Sequence, residues 1–160
     1  MAPDYVLVHE RVHGALVARL GQAFDTFYGA TPEARQASPD LARVVNDRHH
    51  ARLLGLLAPV RGQVVYGGDA DAATRYLGPT LIDGPDPASP LMQEEIFGPL
   101  LPILKVPSMD AAVAFVNARP KPLALYVFSG NARRAEALMA RTSAGGGCVN
   151  DTILHFAHPG

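Results

Sequence analysis

The chain has 160 residues, of which 48% are hydrophobic and 18% charged, with a formal net charge of -1. This length suits one domain, and the charge balance argues against a phosphate-binding surface, which needs excess Lys and Arg. Gly and Pro are spread between apolar segments, which excludes collagen and low-complexity sequence. The one cysteine, Cys148, cannot form an internal disulfide. With no recognisable signal peptide or long apolar run, we expect a soluble, cytoplasmic protein.

The first half of the chain predicts two helices between short strands. Apolar residues recur every three or four positions over 11–28, which indicates an amphipathic helix ended by Gly29. Residues 30–39 are predicted to be a loop. Ser38, followed by Pro39 and an acidic residue, is typical of a helix start, and this second helix should run to about Pro59. Short extended segments are predicted at 5–8, 63–66 and 76–82.

The second half alternates more regularly. A strand is predicted over 100–106, where Pro102 suggests a sheet edge or an irregular start. Ser108 should cap a helix over 109–119, and the apolar run 123–128 suggests a strand buried on both faces. A third helix should begin near Asn131, followed by a short strand at 148–149. This alternation predicts an α/β fold: a mostly parallel sheet with crossover helices.

Histidines are weak candidates for metal ligands. His49 and His50 fall on the polar side of the second predicted helix, so we expect them to be solvent-exposed. His155 and His158 lie three residues apart in an irregular tail, and the same expectation applies to them. With no third ligand nearby, the sequence predicts no metal site.

Two further features, residues 145–147 and Cys148, resemble functional motifs but have simpler explanations. The three glycines follow a helix and precede a strand, the reverse of a phosphate-binding loop, so a helix-to-strand turn is favoured. Cys148 could be a nucleophile, with Asp151 and His155 close in sequence. Its neighbours supply no base or positive charge, so a buried strand residue is the favoured interpretation.

The most informative segment is Gln-Glu-Glu-Ile-Phe-Gly-Pro at 93–99. On an extended backbone Glu95 and Phe97 would point to one face and Glu94 to the other. A carboxylate can accept hydrogen bonds from two ribose hydroxyls, and an aromatic ring can pack against a flat heterocycle. The alternative, an acidic surface turn with one buried Phe, is equally compatible with these residues.

This segment also resembles the signature of the aldehyde dehydrogenase superfamily. Three other segments are similar to that family in the same order along the chain. Residues 2–8 resemble the segment after the catalytic cysteine in the class 3 branch, and 121–129 resemble its following buried strand. Residues 146–151 resemble the Gly-Gly, then Asn-Asp motif near the substrate channel.

The resemblance implies the oxidation of aldehydes to carboxylic acids with NAD or NADP. It implies that Glu95 binds the nicotinamide ribose hydroxyls, that Phe97 packs beside the nicotinamide, and that Asn150 helps to hold the active-site loop. Four residues would line the aldehyde funnel: Ile153, Leu154, His155 and Phe156.

The resemblance covers only part of a family member. The nucleophilic cysteine is expected just upstream of Met1, and the dinucleotide-binding domain is expected to be absent. We therefore expect residues 1–160 to be an incomplete catalytic domain of an aldehyde dehydrogenase, inactive alone and doubtful as a cofactor binder. The alternative is a truncated, non-catalytic module that docks on a full-length subunit or forms a homo-oligomer. No nucleic acid or membrane partner is expected. Cys148 as a replacement nucleophile is a third hypothesis.

Overall fold

The computed structural model describes residues 3–153. The helices and strands form two units, which divide between Lys105 and Val106. The first unit holds three helices and six strands. The helices are α1 (Glu10–Tyr28), α2 (Pro32–Ala37) and α3 (Asp47–Leu57), with a 3₁₀ segment over Ala58–Gln63. The strands are β1 (Val6–His9), β2 (Val64–Tyr66), β3 (Ala70–Asp71), β4 (Tyr76–Leu77), β5 (Thr80–Asp83) and β6 (Leu100–Val106).

Four of these strands form one sheet in the order β1-β6-β5-β2. β5 and β6 pair in parallel, with Thr80 opposite Leu100, whereas β2 pairs antiparallel to β5. β3 and β4 form a separate antiparallel pair. The α/β class and the parallel pairing expected from the sequence are confirmed.

Two apolar clusters hold this unit together. In the first, α3 and the 3₁₀ segment pack Leu53, Leu57 and Val60 against Ile82 and Ile96. In the second, Val8, Leu81 and Ile103 are buried, and the apolar face of α1 packs against them. Most of the face predicted from the spacing over 11–28 packs here, through the partly buried Leu16, Val17, Leu20 and Phe24. Its two ends do not, since Val12 and Phe27 are 54% and 65% exposed. The helix ends at Gly29 as predicted.

The second unit contains α4 (Met109–Asn117), β7 (Ala124–Val127), α5 (Ala132–Arg141) and β8 (Gly146–Val149). Ser108 caps α4 by accepting a hydrogen bond from Ala111 N at 3.1 Å, and Asn131 caps α5. β7 and β8 run in parallel on either side of α5 in the sequence. Val113, Val127, Ala135 and Leu138 form the buried cluster. The predicted cap at Ser108, the helix start near Asn131 and the order of elements are confirmed here.

The segment 30–46 differs from its prediction. Residues 32–37 form α2 rather than a loop, capped by the Thr31 side chain, and Ser38 lies at the end of α2 instead of at a helix start. α3 begins nine residues later than Ser38, at Asp47, where Asn46 Oδ1 accepts a hydrogen bond from His49 N at 2.9 Å. The Asn46 side chain caps a backbone N–H of the first turn of α3. Ser38 Oγ also accepts from a backbone N–H, that of Asp40 at 3.3 Å, but no helix begins there.

Pro102 does not mark an edge, because β6 lies between β1 and β5. The carbonyls of Pro99 and Ile103 face β5, since they accept hydrogen bonds from Thr80 N and Gly84 N at 2.9 and 2.8 Å. Alternate residues of a strand point their backbone groups in opposite directions. The backbone nitrogen of Pro102, which carries no hydrogen, therefore faces away from β5. The hydrogen-bond ladder between β5 and β6 loses no donor.

The strand at 123–128 is also less buried than predicted. In β7 and its flanks only Val127 is buried, whereas Leu123 and Phe128 are 72% and 67% exposed.

Among the described residues, no helix combines the length and the apolar character that crossing a bilayer requires.

Candidate functional site

The segment 93–99 forms a loop between a 3₁₀ turn at Pro90–Met92 and β6. Ile96, at its centre, is only 2% exposed and packs in the cluster formed by Leu53 and its neighbours. Glu95 and Phe97, on either side of it, are exposed, and the Phe97 side chain is 77% exposed. The buried aliphatic residue thus anchors the loop and leaves the carboxylate and the aromatic ring accessible.

The backbone turns sharply at Phe97, whose φ of 51° lies in the left-handed region. The extended backbone assumed for this segment is therefore wrong, and Glu94 does not point away from the others: it lines the same groove as Glu95 and Phe97. The alternative of a buried Phe is also wrong, because the buried residue is Ile96.

Arg52 on α3 holds this loop through its guanidinium. Its Nη1 donates to Glu94 Oε1 at 3.0 Å and to the Glu95 carbonyl at 3.4 Å, and its Nη2 donates to the Ile96 carbonyl. On the N–H side, Ile96 N donates to Asp4 Oδ1 at 3.0 Å. The Ile96 peptide groups are thus held from two sides.

These residues border a groove of about 830 Å³ within the first unit. Its other wall is the irregular segment 40–45, which Arg43 ties down by donating to the Leu41 carbonyl at 2.8 Å and to the Gln36 carbonyl. The groove carries carboxylates, two guanidinium groups, an imidazole and aromatic rings. Its lining residues are Tyr28, Asp40, Leu41, Ala42, Arg43, Val44, Val45, His49, Arg52, Glu94, Glu95, Phe97, Gly98 and Pro99.

A buried polar network supports the unit that contains the groove. Arg35, 6% exposed, donates to Asp69 Oδ1 at 3.2 Å and to the Tyr66 hydroxyl at 3.1 Å. The Tyr66 hydroxyl donates to Asp25 at 2.7 Å, and the Tyr76 hydroxyl donates to Asp69. Burial, with the hydrogen bond to Asp69, raises the pKa of Tyr76 to about 12. Burial likewise raises the pKa of Tyr66.

The histidines of α3 are not both at the surface. His50 is 3% exposed, and its Nε2 lies 2.8 Å from the Tyr76 carbonyl, so the expectation of an exposed residue is wrong. His49 is half-buried and lines the groove. Among residues 3–153, no group of three or more His, Cys, Asp or Glu side chains is arranged to hold a metal ion.

Asn150 lies at the end of β8, where it joins the ends of the two parallel strands. Its Oδ1 accepts from Ser129 N at 2.8 Å, and its Nδ2 donates to the Ser129 carbonyl at 3.0 Å. Its own N–H donates to the Val127 carbonyl at 2.8 Å. This geometry gives Asn150 a holding function in the second unit.

The remaining predicted residues lie in or after β8. Cys148 is half-buried in that strand, so it is less buried than expected. Gly147 fits a close approach, since a Cβ there would lie 2.3 Å from Met139 Cε. The predicted turn at 145–147 is only partly correct, because Gly146 and Gly147 already belong to β8 and Gly145 precedes it. Ile153 is 47% exposed with a φ of 68°. Leu154, His155, Phe156 and His158 lie outside the described residues.

Arg52 and Asp4 are site residues that the sequence did not predict. Arg52 lies 42 residues before Glu94 and Asp4 lies 92 before Ile96, so no local pattern connects them. One signal was present: Arg52 falls between apolar residues of α3, close to the helix face that Leu53 and Leu56 bury.

Comparison with known proteins identifies the family. The sequence model described as the aldehyde dehydrogenase family matches residues 1–159. The 4,4'-diaponeurosporen-aldehyde dehydrogenase of Staphylococcus aureus is 46% identical over 99% of this chain and 34% of its own length. A bovine dimeric NADP-preferring aldehyde dehydrogenase is 45% identical over 98% of this chain and 64% of its own length.

A solved structure agrees with the sequence comparisons. The substrate-bound state of Staphylococcus aureus AldH superposes with a TM-score of 0.93 at 46% identity, covering 99% of this chain and 34% of that one. The chain belongs to the aldehyde dehydrogenase family. It spans about a third of the length of the Staphylococcus relative.

Proposed function

We propose that this chain supplies the nicotinamide-ribose contact of an NAD(P)-dependent oxidation of aldehydes to carboxylic acids. The observation that carries the proposal is the exposed pair Glu95 and Phe97 on either side of the buried Ile96. Family membership supports the reaction class. The name of the bovine relative supports a nicotinamide dinucleotide as the cofactor, without deciding between NAD and NADP for this chain.

The groove residues fit such a cofactor chemically. The two oxygens of an exposed carboxylate can accept hydrogen bonds from both hydroxyls of a ribose, and charge-assisted bonds of this kind are strong. An exposed phenyl ring can pack against a planar heterocycle. A nicotinamide held here would supply the hydride acceptor for the oxidation. Glu95 and Phe97 would fix the orientation of the cofactor, which is a positioning function.

Asn150 and Ile153 have supporting functions in this proposal. Asn150 would hold the end of β8 through its two bonds to Ser129. Ile153, together with Leu154, His155 and Phe156, would line the aldehyde funnel. An exposed apolar side chain such as Ile153 suits a channel for a weakly polar aldehyde.

We also propose that the 160-residue chain does not oxidise aldehydes alone. The reaction class needs a thiolate nucleophile, and the sequence contains one cysteine, Cys148. No cysteine is among the described residues that line the Glu95 groove. An assay of the purified chain with benzaldehyde and either cofactor should produce no NADH or NADPH. Turnover that disappears in Cys148→Ser would contradict this and support Cys148 as a nucleophile.

The exposed apolar side chains of the second unit favour a second candidate function, docking on a full-length subunit. Leu123, Phe128, Val149 and Ile153 are between 39% and 72% exposed. Solvent-exposed apolar groups of this size favour association. Co-elution with a full-length aldehyde dehydrogenase subunit, lost in Phe128→Ser, would support docking. Elution of the two proteins as separate species would exclude it.

The test of the proposed function is calorimetric titration of the purified chain with NAD⁺ and with NADP⁺. Replacing Glu95 by Gln removes the charged acceptor, and the affinity should fall about tenfold. Glu136→Gln is the matched control, because Glu136 is an exposed carboxylate of α5. Equal affinity of the unmodified chain and Glu95→Gln for both cofactors would contradict the proposal.

A further inference from the structure

The loop that presents Glu95 and Phe97 lies outside the sheet, so its order depends on contacts from other elements. Arg52 provides three of these contacts from one side chain, which is only 28% exposed. We propose that Arg52 is a positioning residue, whose guanidinium fixes the loop 93–99 in the geometry that cofactor binding requires. This inference rests on the proposed function.

The geometry requires a guanidinium rather than a single positive charge. Arg52 Nη1 reaches the Glu94 carboxylate and the Glu95 carbonyl, while Nη2 reaches the Ile96 carbonyl. A planar fork can direct hydrogen bonds to two adjacent carbonyls at once, which the compact ammonium of Lys does less well. Arg52 also lines the groove, but both of its terminal nitrogens bond to the loop. We therefore assign its effect on the cofactor to the positions of Glu95 and Phe97.

The contacts converge on Ile96, the residue between the two exposed groups. Its side chain is buried in the cluster around Leu53, its N–H donates to Asp4, and its carbonyl accepts from Arg52. Glu94 partly balances the charge of Arg52 at 3.0 Å. Without the guanidinium, the carbonyls of Glu95 and Ile96 lose their donor, and the loop loses its link to α3.

A tryptophan introduced by Phe97→Trp can report on this loop, because the chain contains no other tryptophan. The fluorescence anisotropy of this indole is measured with Arg52 and with Arg52→Met, which keeps an apolar stem but removes the donors. We expect faster local motion of the indole in Arg52→Met and an intermediate value in Arg52→Lys. Arg48→Ala, which removes an exposed arginine of the same helix, is the control and should leave the anisotropy unchanged.

Cofactor affinity is measured separately with Phe97 intact. Arg52→Met should weaken binding of NAD⁺ or NADP⁺ by about fivefold to tenfold, with partial rescue in Arg52→Lys. Unchanged anisotropy of the introduced indole in Arg52→Met would overturn the inference. The inference would also be overturned if Arg52→Met made the loop mobile but kept full cofactor affinity, while Glu95→Gln lost affinity. If Glu95→Gln has no effect, the proposed function is wrong and the cofactor part of this inference falls with it. The anisotropy then shows separately whether Arg52 orders the loop.

Discussion

Gly98 and Leu53 meet so closely that a side chain at position 98 requires Leu53 to move. A Cβ on Gly98 would lie 2.5 Å from Leu53 Cδ2 and 2.6 Å from Leu53 Cδ1, and Leu53 is fully buried. The loop that carries Glu95 and Phe97 therefore packs directly on α3. The glycine of the segment 93–99 is explained by this contact with the core.

Gly98→Ala should destabilise the chain by about 2 kcal/mol, because the buried Leu53 has little room to move. Urea unfolding measures the change. Gly55→Ala is the control: Gly55 is in α3 with nothing within 4 Å of its added Cβ, so this change should stabilise the chain by about 0.5–1 kcal/mol. Equal effects of the two substitutions would contradict the packing argument.

His50→Ala should cost about 3 kcal/mol of unfolding free energy. The change leaves a cavity at a buried position and removes the partner of the Tyr76 carbonyl, which lies 2.8 Å from His50 Nε2. His49→Ala, at the adjacent half-buried position, should change stability by less than about 1 kcal/mol. A smaller loss for His50→Ala than for His49→Ala would show that the buried hydrogen bond does not matter.

The stability of the chain should fall at high pH because of Tyr76. Its pKa is raised from 10.0 to about 12 by burial and by the bond to Asp69, so the folded chain favours the protonated phenol. This contribution is fully present below the unfolded pKa near 10 and is lost as the pH rises towards about 12. Urea unfolding across this pH range should show a shallower decline for Tyr76→Phe. Parallel profiles for the two chains would contradict the assignment.

Asn150→Ala should loosen the junction of β7 and β8. The change removes both hydrogen bonds to Ser129. It also places an alanine, which lacks the side-chain amide of Asn, in the left-handed region at a φ of 57°. Loss of the side-chain bonds should cost about 1–2 kcal/mol. Amide hydrogen exchange at Ser129 measures it directly. Asn150→Gly loses the same bonds but tolerates the φ, so it should be less destabilising than Asn150→Ala. The reverse order would contradict the role of the backbone conformation.

Most helices and strands could be predicted from local patterns. The spacing of apolar residues predicts α1, and the side chains of Ser108 and Asn131 predict the starts of α4 and α5. These features depend on residues a few positions apart, and the structure confirms them. At Ser38 the local signal was misleading, because Asn46 caps α3 instead. A capping motif shows that a residue can start a helix, and the surrounding packing decides whether a helix starts there.

The candidate site could be predicted only in part. The segment 93–99 is recognisable from its residues and its family resemblance. Its conformation is not, because it depends on Asp4, Arg52 and Leu53, which are far away in the sequence. The buried network around Arg35 was missed for the same reason: Arg35 lies 34 residues from Asp69. Long-range polar contacts leave no periodic trace in a sequence.

The most direct test of the cofactor site is an NMR titration of the isotope-labelled 160-residue chain with NAD⁺ and with NADP⁺. We expect at least one cofactor to shift the amide signals of Glu95, Phe97 and Gly98 most strongly. Smaller shifts should extend to the groove wall at 40–45. Saturating shifts confined to other parts of the chain would contradict the assignment of Glu95 and Phe97 to the nicotinamide ribose.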